Sequence, residues 1–121
     1  MFGVEILEKL YTSSLDLVNT YNRIMPEKQV EYPGLFPKIP PIEIIHADLF
    51  SIDFYNADVL YIASTCFTEE MMETLAYLPV KQGAFAITTT KNLNTDSWEI
   101  LETERREMSW APATVFISRK L

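Results

Sequence analysis

Short apolar runs alternate with stretches of helical spacing along this chain, and that order restricts it to a layered α/β fold. Phe2-Gly3-Val4-Glu5-Ile6 reads as a strand, and after it Leu7, Leu10, Tyr11, Leu15, Val18 and Tyr21 mark one apolar helix face. The helix is expected to stop near Met25, because Pro26 disfavours helical geometry in the residue before it. Residues 26–41 hold Pro26, Pro33, Gly34, Pro37, Pro40 and Pro41, a proline-rich linker. Ile42 to Ala47 forms the next strand, closed by Asp48, and Asp58 to Ala63 another, apolar enough to be buried on both faces. Thr68-Glu69-Glu70 opens a helix with acids in its first turn, continued by Met71, Met72, Leu75 and Leu78. Gly83 precedes a strand over Ala84 to Thr89. Trp98 to Glu104 and Thr114 to Ser118 read as an antiparallel hairpin, joined through Arg105, Arg106 and Met108-Ser109-Trp110. The sum is one domain over residues 1–121: a parallel sheet with an antiparallel hairpin at its edge.

Composition excludes several classes. A net charge of −7, from 17 acids against 10 Lys and Arg, opposes direct nucleic-acid binding or attraction to an anionic membrane, and leaves a basic protein as a possible partner. The single cysteine, Cys66, rules out a disulfide framework within one chain. No apolar run is long enough to cross a bilayer, and MFGVEILEKL has acids where a secretory signal needs basic residues. An intracellular chain, nuclear or cytoplasmic, is expected, although no basic import run is present.

Several patches, in order, resemble the non-SET histone H3 lysine methyltransferases, the disruptor-of-telomeric-silencing family. They are Phe2-Gly3-Val4-Glu5 leading into a helix, Asp48 after a strand, Ala63-Ser64-Thr65-Cys66-Phe67 after a buried strand, Lys81-Gln82-Gly83-Ala84, and Met108-Ser109-Trp110. The resemblance implies a partial doubly wound (Rossmann-like) class I methyltransferase sheet, S-adenosylmethionine as cofactor and a protein substrate, histone lysine. Matching begins at the second strand of that fold. No Gly-x-Gly motif occurs, since Gly3, Gly34 and Gly83 stand far apart, so the glycine-rich loop that lets a backbone approach the cofactor is missing.

The resemblance assigns Glu5 to the ribose hydroxyls, and an acid at the carboxyl end of a parallel strand suits that role. The alternative is a solvated carboxylate opening a helix. Asp48 would contact the adenine amino group, with Leu49 packing on the ring where better-known members carry Phe, and Phe50 one step later; alternatively Asp48 caps its own loop. Ala63 takes the place of an Asn near the reacting methyl group. Ser64 and Thr65 are candidates to supply hydroxyls and Phe67 to line the pocket; the competing role for both hydroxyls is turn and helix capping. Ser109 and Trp110 match the lining of the lysine channel, where an indole face attracts an ammonium group, although a Trp between strands often packs a sheet edge. Cys66 reads as a small buried apolar residue, and His46, the only histidine, makes no metal site by itself.

Without its first strand the parent sheet would expose two strand edges. An upstream segment, a partner chain such as a second copy, or direct closure of the gap would satisfy them, and the upstream segment is the expected one. Two other functions stay open: a catalytically dead methyltransferase-fold module that binds or assembles, and a methyltransferase acting on a small molecule or a non-histone protein.

Overall fold

In the computed structural model, which describes residues 1–121, β1 (Phe2–Glu5), α1 (Glu8–Glu31) and β2 (Glu43–His46) form a βαβ unit. β1 and β2 are parallel, with Phe2 opposite Glu43 and Glu5 opposite His46. A single 3-10 turn, Leu49–Ser51, comes next, and this first unit ends at Ile52. None of its residues is buried, and Leu10, Leu17 and Val30 on α1 are exposed. No helix of the chain is long and apolar enough to cross a membrane.

The helix does not stop near Met25. It runs to Glu31 with Pro26 inside it, so residues 26–31 are helix rather than linker. Pro26 removes a backbone donor and crowds the preceding turn, at a cost of about 3 kcal/mol. Good helix formers succeed it in Glu27, Lys28 and Gln29. Lys28 pairs with Glu31 at 3.2 Å, and the Tyr32 N–H closes the last turn on the Lys28 carbonyl. The Glu31 carboxyl is held below its ordinary value by a hydrogen bond from the Tyr32 side chain and then by Lys28. The return segment is tied back to the helix: Gln29 Nε2 donates to the Pro37 carbonyl at 3.2 Å, and the Tyr21 hydroxyl to that of Pro40 at 2.9 Å.

The second unit, Asp53–Leu121, carries β3 (Val59–Ile62), α2 (Glu69–Ala76), β4 (Phe85–Thr89), β5 (Trp98–Glu107) and β6 (Pro112–Lys120). Its sheet has the order β3-β4-β6-β5, with β3 and β4 parallel and β6 antiparallel to both neighbours. Thr68 caps α2, its Oγ1 accepting from the Met71 N–H at 3.1 Å, with Glu69 and Glu70 in the first turn as expected. The hairpin strands are longer than their apolar residues suggest, because pairing with β6 draws Arg105 and Arg106 into β5. Only Met108 to Ala111 connect them, closed by Met108 N–H to the Ala111 carbonyl at 3.2 Å.

One face of this sheet is packed and the other is open. Alternation along β3 and β4 sends Leu60, Ile62, Ala86 and Thr88 to one face, and Val59, Tyr61, Phe85 and Ile87 to the other. Ala86 and Thr88 are fully buried, together with Met72, Leu75 and Ala76 of α2, and Trp98 is 1% exposed. Val59 and Tyr61 are 58% and 65% exposed, so β3 is not buried on both faces as its apolar composition suggested. The reason is that α2 covers a single side of the sheet. Within each unit the parallel pairing is simple: β1 has β2 as its strand partner, and β3 has β4.

Two substitutions test these packing arguments. Pro26→Ala should raise helical circular dichroism and stabilise α1 by about 1–3 kcal/mol, since it restores the donor and removes the clash. Thr88→Val should stabilise the second unit by about 1 kcal/mol in urea unfolding, because the Thr88 Oγ1 is buried with no hydrogen-bond partner.

Candidate functional site

Glu5 is the last residue of β1 and half-buried. Its Oε1 accepts from the Leu7 N–H at 3.0 Å, which turns the chain from strand to helix. Asp48 lies two residues past the end of β2, at the same carboxyl end of the pair. It caps the 3-10 turn: Oδ1 accepts from the Phe50 N–H at 3.0 Å, and its carbonyl accepts from Ser51 Oγ at 2.7 Å. Each acid therefore commits one carboxylate oxygen to local backbone. Leu49 and Phe50, in the turn, are half-buried. His46 Nε2 lies 2.9 Å from the Ile6 carbonyl, and its ring stacks on Tyr11 with centroids 4.7 Å apart.

In the second unit, Ala63 to Phe67 leave the carboxyl end of β3 and are held by the end of β4. Ser64 is fully buried; its Oγ donates to the Thr89 carbonyl at 2.8 Å and accepts from the Thr89 N–H at 3.2 Å. Thr65 Oγ1 lies 3.2 Å from Thr89 Oγ1 and 3.0 Å from Thr90 Oγ1. Lys91 Nζ donates to the Phe67 carbonyl and pairs with Glu69 at 3.4 Å. Thr90 makes this possible by adopting a left-handed backbone, φ +69°, which is costly for a β-branched residue. Ala63 is exposed, Phe67 half-buried, and Cys66 exposed rather than buried, because the loop turns its side chain outward between two anchored residues.

Trp110 sits at the tip of the hairpin and is 58% exposed, next to exposed Ser109. Because Thr89 pairs with Val115, β6 runs three residues beyond the end of β4, from Pro112 to Thr114. The tip thus projects at the sheet end that carries Ser64, Thr65 and Phe67, and the Thr90 N–H reaches the Thr114 carbonyl at 2.7 Å. The candidates therefore form two groups, Glu5, Asp48 and Leu49 in one unit and Ser64, Thr65, Phe67 and Trp110 in the other, each at the carboxyl end of its parallel pair. Thr89, Thr90 and Lys91 were not singled out from the sequence. The run of three threonines closing a strand, Thr88-Thr89-Thr90, was the available signal. A shallow acidic depression lined by Glu69, Glu73, Asp96 and Asn94 includes none of the candidates.

Two pairs of parallel strands, a helix on one face of the second sheet and a terminal antiparallel hairpin make a mixed α/β fold that resembles solved structures assigned as methyltransferases. Several solved structures are similar to it, among them two bacterial proteins. One is HI0767 of Haemophilus influenzae, provisionally assigned as a methylase: TM-score 0.55, 10% identity, covering 99% of this chain and 71% of that one. The other is YhhF of Escherichia coli, a provisionally assigned methyltransferase: TM-score 0.57, 8% identity, covering 98% of this chain and 62% of that one. At such identity the likeness is one of fold. No family model matches the sequence, and no curated protein matches it.

The glycines test whether the chain fits an S-adenosyl cofactor. A Cβ at Gly3 would meet Ile44 Cδ1 at 3.2 Å, so that glycine serves strand packing. Gly83 has φ +85° and turns the chain before β4, and Gly34 faces open space. None of the three gives a backbone cradle for the methionine half of the cofactor. The adenosyl half fits better, because Glu5 and Asp48 stand at adjacent strand ends with one carboxylate oxygen each left over.

Ser64→Ala removes the hydroxyl that both donates to the Thr89 carbonyl and accepts from the Thr89 N–H, and leaves those two buried backbone groups without this partner. It should destabilise the second unit by about 1–3 kcal/mol in urea unfolding, far more than an exposed active-site serine would.

Proposed function

We propose that this chain belongs to an S-adenosylmethionine-dependent methyltransferase acting on protein lysine, with histone H3 as the substrate to test first. The observation that carries this reading is the pair of acids at the carboxyl ends of β1 and β2, within a fold similar to structures assigned as methyltransferases. Glu5 would accept the ribose hydroxyls and Asp48 the adenine amino group, with Leu49 against the ring. The cofactor, when bound, supplies an electrophilic methyl group. The chain's own part is to orient the acceptor amine and hold it neutral. Phe67 and the Trp110 indole offer apolar and aromatic surface for a lysine side chain, and the net charge of −7 favours a basic protein substrate.

A second reading is favoured by the Ser64 and Thr65 bonds: a module with this fold that binds or assembles and does not catalyse. Both hydroxyls are engaged with the end of β4, Ala63 offers no polar contact, and no glycine cradles a cofactor. A small-molecule acceptor is the remaining alternative.

Calorimetry with S-adenosylhomocysteine should show binding weaker than roughly 10 μM, lost in Glu5→Ala. Clear micromolar binding would contradict the poor fit of the methionine half, and binding unchanged by Glu5→Ala would remove the ribose role. With labelled donor at about millimolar concentration, label is expected on histone H3 lysines. Glu5-dependent binding without any transfer to histone H3, protein extract or small-molecule acceptors would favour the non-catalytic module.

A further inference from the structure

The segment Thr89-Thr90-Lys91 departs from what stability alone favours at two neighbouring places. Thr90 is β-branched yet has φ +69°, a backbone that glycine adopts at far lower cost. The Lys91 N–H closes a three-residue turn on the Thr89 carbonyl at 2.8 Å, a tight and strained reversal when the central φ is positive. The turn is also held from outside: the Thr90 N–H donates to the Thr114 carbonyl at 2.7 Å, and Thr90 Oγ1 lies 3.0 Å from Thr65 Oγ1. Lys91 is the second departure. Its ammonium donates to the carbonyl of Phe67, one residue before the Thr68 cap of α2, and Glu69 pairs with it at 3.4 Å. A cation at the start of a helix opposes the helix dipole. Strain and an unfavourably placed charge persist together where the surrounding structure holds a particular geometry.

We propose that Lys91, aimed by the turn at Thr90, is the positioning residue of the 63–67 loop, fixing the Phe67 backbone and with it the direction of the Phe67 ring. The use of that ring rests on the methyltransferase reading, in which it lines the acceptor pocket; the fixing of the loop does not. The loop leaves the carboxyl end of a parallel pair, where ligands of open α/β sheets bind. Its first half is anchored by side chains, Ser64 on the Thr89 backbone and Thr65 between the hydroxyls of Thr89 and Thr90. Cys66 is exposed, so the anchoring of Phe67 comes through its own backbone. The Phe67 N–H donates to the Ser64 carbonyl at 3.0 Å, and the Lys91 bond to the Phe67 carbonyl holds the other side of the residue. An ammonium has three donors, enough to hold a carbonyl and a carboxylate at once. A ring whose two flanking peptides are fixed is oriented before a ligand arrives, which spares the cost of ordering it on binding.

Amide exchange, followed residue by residue on the full chain by nuclear magnetic resonance, tests the positioning without an activity assay. The Phe67 N–H should be protected, and Lys91→Met should speed its exchange by about tenfold or more while amides of β4 and β6 keep their rates. Lys91→Arg, which keeps the charge and the donors, should restore most of that protection. Thr90→Gly removes both the strain and the Oγ1 contact, and should loosen Phe67 in the same way without lowering the urea midpoint. An unprotected Phe67 amide, or one indifferent to Lys91→Met, would overturn the proposal. So would a uniform rise in exchange across the second unit, which marks a lysine that only stabilises. Where transfer to histone H3 is measured, Lys91→Met should raise KM for the histone about tenfold and leave S-adenosylhomocysteine binding unchanged. An unchanged KM would overturn the role given to the Phe67 ring. No transfer by the unaltered chain would count against the methyltransferase reading alone, and the exchange rates would still decide whether Lys91 positions the loop.

Discussion

The indole of Trp98 is the contact on which the second unit depends. It opens β5, lies 1% exposed beneath α2, and donates its Nε1–H to the Ala76 carbonyl at 3.0 Å. That one bond satisfies a carbonyl at the helix end and a donor that would otherwise be buried without a partner. An indole buries roughly 250 Å², or about 6 kcal/mol of transfer free energy, a large share of what so small a core supplies. Because Trp98 leads into β5, its burial also sets the register of the hairpin and the reach of the hairpin tip that carries Trp110. The Lys120 Nζ lies over the ring, 5.3 Å from its centroid.

Around that contact the packing is one-sided. α2 supplies Met72, Leu75 and Ala76 to one face of the sheet, and no second helix of this unit covers the other. The first unit has no comparable anchor: its long helix offers apolar residues, yet none is buried. Its order rests on local terms, namely the parallel pair, the helix hydrogen bonds and the ties from Tyr21 and Gln29 to the returning loop. Such terms are individually weak, which is why a proline at about 3 kcal/mol weighs heavily there.

The candidate site was partly legible. Apolar runs located the strands, and the acid ending one of them and the acid just past another marked Glu5 and Asp48, because in parallel sheets the carboxyl ends are where ligands sit. The bonds those acids make were less legible. Each spends one oxygen on a backbone N–H two residues on, a contact that depends on the turn adopted and is no stronger in the sequence than the ligand role. Ser64 is the clearest case of a residue whose chemistry suggested the surface and whose environment is the interior. Its partner, Thr89, is 25 residues away, and no local pattern joins them.

By itself the sequence determined the features that neighbouring residues set between them: alternation of strands and helices, the cap at Thr68, the hairpin, an acidic surface and the lack of a glycine-rich loop. Periodicity and composition are local properties and survive without knowledge of the fold. Tertiary structure decided the rest. It let α1 continue through Pro26, exposed half of β3, turned Cys66 outward, and tied the Ser64–Thr65 loop to Thr89 and Thr90. In each case the outcome depends on what packs or bonds from a distant part of the chain, which the spacing of apolar residues does not encode.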